Sequence, residues 1–169
     1  MDEKEGNTMS IRIIVKDPDP VLREEAKEVT KFNANLKKLL RDMAETMYDA
    51  EGVGLAAPQI GISKRVIVVD VGEESGLVEI VNPVMIEQEG EQLGPEGCLS
   101  IPNLNGDVLR FDRIVVTGQN SDGEPITVQA QGYFARALQH EIDHLNGILF
   151  TDIAQNVYDY TERQRKGGE

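Results

Sequence analysis

Gln139-His140-Glu141-Ile142-Asp143-His144-Leu145-Asn146-Gly147 is the stretch on which the reading of this chain turns. It holds both histidines of the protein, four residues apart. On an α-helix that spacing stacks the two imidazoles on one face, one turn apart, where they can close on a single metal ion. Glu141 leaves the helix about 100° round from His140, so it can flank a metal as a general base without ligating it. Phe134, Ala137, Leu138, Ile142 and Leu145 give the segment from Gly132 to about Asn146 a helical apolar period, and Gly147 ends it. The pattern implies a metal-dependent hydrolase built on a buried helix.

Upstream, a second helix is expected from Asn33 or Asn35, either of which can cap, to about Ala50. Leu36, Leu39, Leu40, Met43, Ala44, Met47 and Tyr48 make its apolar stripe, with Lys37, Lys38, Arg41, Asp42 and Glu45 opposite. Glu51-Gly52 should end it. The glycine-rich run from Gly52 to Gly61 makes a poor helix and a poor strand, and no Gly-Lys-Ser/Thr follows that would mark a phosphate loop. Strands are expected at Ile11–Val15, at Arg65–Val71 (buried on both faces), and separately at Leu77–Ile80 and Val84–Gln88. Arg110–Gly118 and Ile126–Ala130 should form a hairpin through Asn120-Ser121-Asp122-Gly123. Val21 to Val29 reads as a short helix or an irregular arm. Ile148-Leu149-Phe150 is a final apolar anchor, and the polar tail from Gln155 should fray. The expected fold class is α+β: one domain, with mixed or antiparallel sheets packed around the central metal-binding helix.

Composition sets limits. A chain of 169 residues suits one compact domain. The net charge of −13 argues against direct nucleic-acid or anionic-lipid binding. No apolar run approaches a membrane helix. The single cysteine, Cys98, excludes an internal disulfide and suits a reducing compartment. Residues 1–9 are polar and acidic, unlike a leader.

A catalytic centre of this type needs a third protein ligand and one open position. The protease pattern with a third histidine fails, because that position is Phe150. Glu162, at the distance of a downstream acidic ligand, lies in the polar tail. Cys98, in Glu96-Gly97-Cys98-Leu99-Ser100, is the remaining donor, and thiolate binds zinc or iron well. Gln59, at the end of the glycine-rich loop, has a neutral amide able to donate to an oxyanion without competing for the metal.

Gly52-Val53-Gly54-Leu55-Ala56-Ala57-Pro58-Gln59, Glu96-Gly97-Cys98-Leu99-Ser100 and Gln139-His140-Glu141-Ile142-Asp143-His144 together resemble the three signature motifs of the peptide deformylases, in the family's order and at similar separations. The resemblance runs from about Asp17-Pro18 to Phe150. It implies a catalytic domain over residues 10–154, an N-terminal extension at 1–9 and a polar C-terminal tail at 155–169. It also implies Cys98, His140 and His144 as metal ligands, Glu141 as general acid/base and water on the metal as nucleophile. Gln59 and the Leu99 N–H would be the oxyanion donors. The reaction would hydrolyse the formyl group from N-formylmethionyl nascent peptides, releasing formate, in a bacterial-type cytosol. One divalent ion per chain is implied, ferrous iron physiologically, with zinc, nickel or cobalt in preparations.

Substrate contacts are expected from Val53, Gly54 and Glu96. Arg136 and Ala137, one helical turn before His140, would form pocket wall, Arg136 through its alkyl stem. Arg110 is expected to pair with Glu96 behind the thiolate loop. The tail, ending Arg163-Gln164-Arg165-Lys166 before its last glycines and Glu169, lacks the amphipathic helix that in some members docks near the ribosome exit. Only a transient ribosome contact is therefore entertained.

Overall fold

The computed structural model describes residues 10–159. Among these residues eight strands form two antiparallel sheets. The larger has the order β1-β2-β3-β6-β7, with β1 at Gly54–Ala56, β2 at Val66–Val69, β3 at Val78–Glu89, β6 at Arg113–Gln119 and β7 at Pro125–Gln131. The smaller has the order β4-β5-β8, with β4 at Gln92–Cys98, β5 at Ile101–Arg110 and β8 at Asn156–Asp159. Helix α1 spans Ala34–Asp49, α2 spans Tyr133–Leu145, and a single turn, α3, spans Phe150–Ile153.

Strand β2 shows how the layers arise. Its four valine and isoleucine residues are all fully buried, and alternate side chains point to opposite faces. Val66 and Val68 pack with Leu36, Leu39, Leu40, Met43 and Met47 of α1. Ile67 and Val69 pack with Phe134, Ala135, Leu138 and Leu145 of α2. The large sheet therefore lies between the two helices, and the motif-bearing helix is buried as expected. Leu149 and Phe150 join Leu22, Ile101 and Val108 in a third cluster, which seats the smaller sheet beyond the end of α2.

Several expectations are corrected. The two strands foreseen at 77–80 and 84–88 are one strand with a bulge. Asn82 takes a positive φ of 54°, and its side chain accepts from Val29 N–H and donates to Val29 C=O, so the kink at Pro83 is bridged instead of ending the strand. The hairpin begins at Arg113, because Arg110 is the last residue of β5. β4 and β5 were not anticipated as strands. The glycine-rich loop holds both a short strand, β1, paired to β2, and a 3-10 turn at Ala57–Ile60.

Helix α1 starts on Asn33, whose side chain caps Leu36 N–H. It ends in a Schellman pattern, with Glu51 N–H on Tyr48 C=O and Gly52 N–H on Met47 C=O. The left-handed residue is Glu51, at φ 59°, and not Gly52. At Gly52 the constraint is different: a Cβ there would stand 2.8 Å from Leu99 Cδ1, which would have to move. Two members of α1 change sides, Asp42 being fully buried and Tyr48 half exposed.

Residues 20–23 form a 3-10 turn followed by an extended arm, which combines both readings of that segment. The tail does not fray at Gln155: its backbone continues as β8, an edge strand held by the ladder to Leu104–Asp107. Residues 1–9 and 160–169, Glu162 among them, lie outside the described residues.

Candidate metal centre and active site

Three donors converge. Cys98 Sγ and ring nitrogens of His140 and His144 all lie within 4.8 Å of one another, and Cys98 Sγ is 3.4 Å from His144 Nε2. The imidazoles are one helical turn apart, with ring centroids 5.0 Å from each other. Phe150, which stands where a protease would have a third histidine, stacks on His140 with centroids 6.3 Å apart. Cys98 arrives from the end of β4, the smaller sheet carrying it to the helix.

His140 is held by Glu96. The Glu96 carboxylate accepts from His140 Nδ1 at 2.8 Å, which places that proton on Nδ1 and leaves the Nε2 lone pair for a metal. The same carboxylate takes two bonds from Arg110, both at 2.8 Å, and one from Arg136 Nη1 at 2.7 Å. Burial alone would raise Glu96, but hydrogen bonds from Arg110 and His140 outweigh it and hold the group well below the usual carboxylate range. Arg110 also reaches Asp143 Oδ2 at 2.6 Å. Burial raises Asp143 despite that neighbour. Burial lowers His144, reinforced by the charge on His140. For His140, burial is outweighed by bonds to Cys98 and Glu96, which raise it.

Glu141 is 4% exposed, and its Oε1 has no hydrogen-bond partner among the described residues. Burial pushes it up to about 7, the charge on His140 opposing and that on Glu96 adding. Its carboxylate presses on Gly54: a Cβ at 54 would overlap Oε2 and stand 3.0 Å from Cδ. Gln59 is nearly fully buried. Its Oε1 accepts from Ala56 N–H at 2.9 Å, which orients the amide so that Nε2 donates to Ser100 Oγ at 3.2 Å and toward Cys98 Sγ at 3.5 Å.

These groups line a cleft of about 480 Å³ whose walls include Val53, Gly54, Gln59, Glu96, Cys98, Leu99, Arg136, Ala137, His140 and Glu141. Every residue assigned to substrate contact thus reaches it, but the charged groups of two of them are engaged elsewhere. Glu96 is engaged behind His140, leaving little of its carboxylate for a substrate. Arg136 is 4% exposed, and its guanidinium turns into the smaller sheet, onto Glu96 and the carbonyls of Gly94, Val108 and Gln92. Pro95, Asn105 and Tyr133 also line the cleft and were missed. Tyr133 was legible, since it lies four residues before Ala137 on the same helical face.

The donor set suits a divalent ion: a thiolate and two imidazoles are three ligands of the kind a catalytic zinc- or iron-type site uses. The buried Glu141 oxygen adds an acceptor that no donor among the described residues satisfies. Among the described residues no helix is long and apolar enough to cross a membrane.

Comparison with known proteins is consistent over nearly the whole chain. The polypeptide deformylase family model matches residues 11–159. A peptide deformylase of Pelotomaculum thermopropionicum is 59% identical over 149 residues, 88% of this chain and 95% of the relative. The crystal structure of a peptide deformylase from Thermotoga maritima aligns with a TM-score of 0.83 at 48% identity, over 86% of this chain and 99% of the other. One from Legionella pneumophila gives 0.83 at 43%, over 92% of each. With its three motifs converging on one cleft and its fold shared along nearly its full length, the chain belongs to the peptide deformylase family.

Proposed function

We propose a division of labour among this chain's residues for the reaction of its family, the metal-dependent removal of the N-formyl group from newly made peptides. The observation that carries it is the convergence of Cys98, His140 and His144 within 4.8 Å, beside a buried Glu141 with an unsatisfied oxygen. Cys98, His140 and His144 would hold one divalent ion, with Glu96 fixing the tautomer of His140. When bound, that ion supplies Lewis acidity, which makes water nucleophilic near neutral pH and polarises the formyl carbonyl.

The remaining steps belong to the protein. Glu141 accepts the proton of the attacking water, and its raised affinity for protons suits the transfer. As the formyl carbon becomes tetrahedral, Gln59 Nε2–H and the Leu99 N–H donate to its oxyanion. Glu141 then gives its proton to the departing amine as the C–N bond breaks, so that formate and a free N-terminus result. Gly54 and Val53 offer backbone to the peptide, and Ala137 with the Arg136 stem forms wall for the methionine side chain.

Ferrous iron is the proposed resident ion, because the thiolate–imidazole set accepts it and a reducing cytosol would protect it. Zinc, nickel or cobalt would bind the same donors. The cytosol is the proposed compartment, and contact with the ribosome would be transient.

Formate release from formyl-methionyl peptides by anaerobically purified, iron- or nickel-loaded protein tests the scheme. Wild type should release formate and Glu141→Ala should not. Full activity in Glu141→Ala would refute the assignment of the base. Cys98→Ala should lose the metal, read by elemental analysis.

A further inference from the structure

The first described residues form a strap that belongs to neither sheet. From Ser10 to Asp17 the chain contacts α1 and then both active-site loops. Apolar burial does not hold its start, since Ile11 is 50% exposed and Ile13 87%. Polar bonds do. Ser10 Oγ donates to Glu45, Arg12 N–H donates to Thr46 Oγ1 at 2.8 Å, and the Arg12 guanidinium closes on Asp42 Oδ2 through Nε at 2.9 Å and Nη2 at 2.6 Å. Asp42 is fully buried, where a carboxylate is tolerated only when paired. Lys38 of α1 also reaches that oxygen at 3.0 Å from a half-exposed position, and Arg12, from outside α1, adds the two-pronged guanidinium pairing.

Past this peg, Ile14 joins the cluster under α1 and Val15 joins that of the smaller sheet. Val15 N–H donates to Gln59 C=O at 2.8 Å, and Asp17 N–H donates to Ser100 C=O at 2.9 Å. Those carbonyls sit in the two loops that carry the oxyanion donors, one loop attached to each sheet. The strap therefore ties together two parts of the site that belong to different layers.

We propose that Arg12, seated on Asp42, is a positioning residue for deformylation: through the strap it fixes the Gln59 loop relative to the Leu99 loop. The inference rests on the reading of Gln59 and the Leu99 N–H as oxyanion donors. A donor displaced by a fraction of an ångström still binds substrate but stabilises the transition state less, so the effect falls on kcat.

The test uses the metal-loaded full chain carrying Arg12→Met or Arg12→Lys, in wild-type and Gln59→Ala backgrounds. Arg12→Met should lower kcat about ten-fold with KM within about two-fold, and Arg12→Lys should recover most of the loss. In the Gln59→Ala background the same substitution should cost under about two-fold, because the group it positions is gone. The side-chain amide resonances of Gln59 in zinc-loaded protein should shift in Arg12→Met. Equal losses in both backgrounds, a loss confined to KM, or unmoved Gln59 resonances would overturn the proposal. If Arg12→Met does not fold, Val15→Pro removes the bond to Gln59 directly and carries the same comparison. A Gln59→Ala protein with wild-type kcat would instead refute the oxyanion reading itself.

Discussion

Substituting Gly54 by alanine is the sharpest available probe of the Glu141 placement. The backbone at Gly54 is not left-handed, so alanine brings no conformational penalty, and the whole effect is steric. The new Cβ would overlap Glu141 Oε2 and stand 3.0 Å from both Cδ and Cγ, whereas carbon atoms in contact settle at roughly 3.5–4.0 Å. Either the carboxylate withdraws by about 0.5–1 Å or strand β1 does. β1 is locked to β2 through the pairs Gly54↔Val69 and Ala56↔Ile67, and all three of its residues are buried, so the carboxylate should yield. A displacement of that size in a proton-transfer group lowers the rate by about 10- to 100-fold. Because Cys98, His140 and His144 are untouched, metal content should stay at wild-type level. The assay is kcat and KM for a formyl-methionyl tripeptide beside metal analysis of the same sample. Wild-type kcat in Gly54→Ala would show that Glu141 does not need its position, and the acid/base role would fall with it.

The remaining expectations concern charge, ligand retention and backbone. In chelator-treated protein, burial raises Glu141 from 4.5 to about 7, so the folded state binds the extra proton and stability falls as pH rises between those values. Glu141→Gln should then gain on the order of 3 kcal/mol over wild type at pH 8, the gap closing towards pH 4.5, by urea denaturation. An equal gap at both pH values would refute this. Glu96→Gln should weaken metal retention by about 10- to 100-fold in chelator competition and lower the Tm, since Arg110 and Arg136 lose the anion they share. Unchanged retention would show that the His140 tautomer is set elsewhere. Gly147→Ala should destabilise by about 2 kcal/mol or more, because φ is 74° and a Cβ would stand 2.6 Å from the Arg23 carbonyl oxygen. A Tm within a degree of wild type would count against it.

What could be read from the chain alone follows a physical division. α2 was legible because a helical apolar period and the His-Glu-x-x-His spacing coincide, and Cys98 stood out because the other candidate donor, Glu162, lies in the polar tail. β4 and β5 were not, because Gly94, Pro95, Gly97, Pro102 and Gly106 break the alternation that marks a strand. Their sheet is set by a register between residues with little β-propensity. Gly106 has its reason only in three dimensions, since a Cβ there would meet Asn156 C=O at 2.6 Å as β8 crosses. The Arg136 stem could be placed by helix spacing, but not its head, which ends on carbonyls of those same unread strands. Asp42 fails in the same way: its period assigns it to solvent, yet it is buried, paired with Lys38 on its own helix and with Arg12, thirty residues away.

The same division explains how the site is held. Glu96 and Cys98 are two residues apart on β4, so both project toward α2 from one face of the strand. His140 and His144 are four apart on α2 and project toward β4. One pair is a strand-period motif and the other a helix-period motif, and they meet across the cleft: Cys98 approaches both histidines, and Glu96 grips Nδ1 of His140. At Gly97, between the strand pair, a Cβ would stand 2.5 Å from Asn105 Oδ1, so a larger residue there would push that side chain aside. A proposed ligand and the group that orients its neighbour thus travel on one strand. Any shift of β4 against α2 would disturb both contacts together, so the proposed metal site should hold only while the smaller sheet keeps its register.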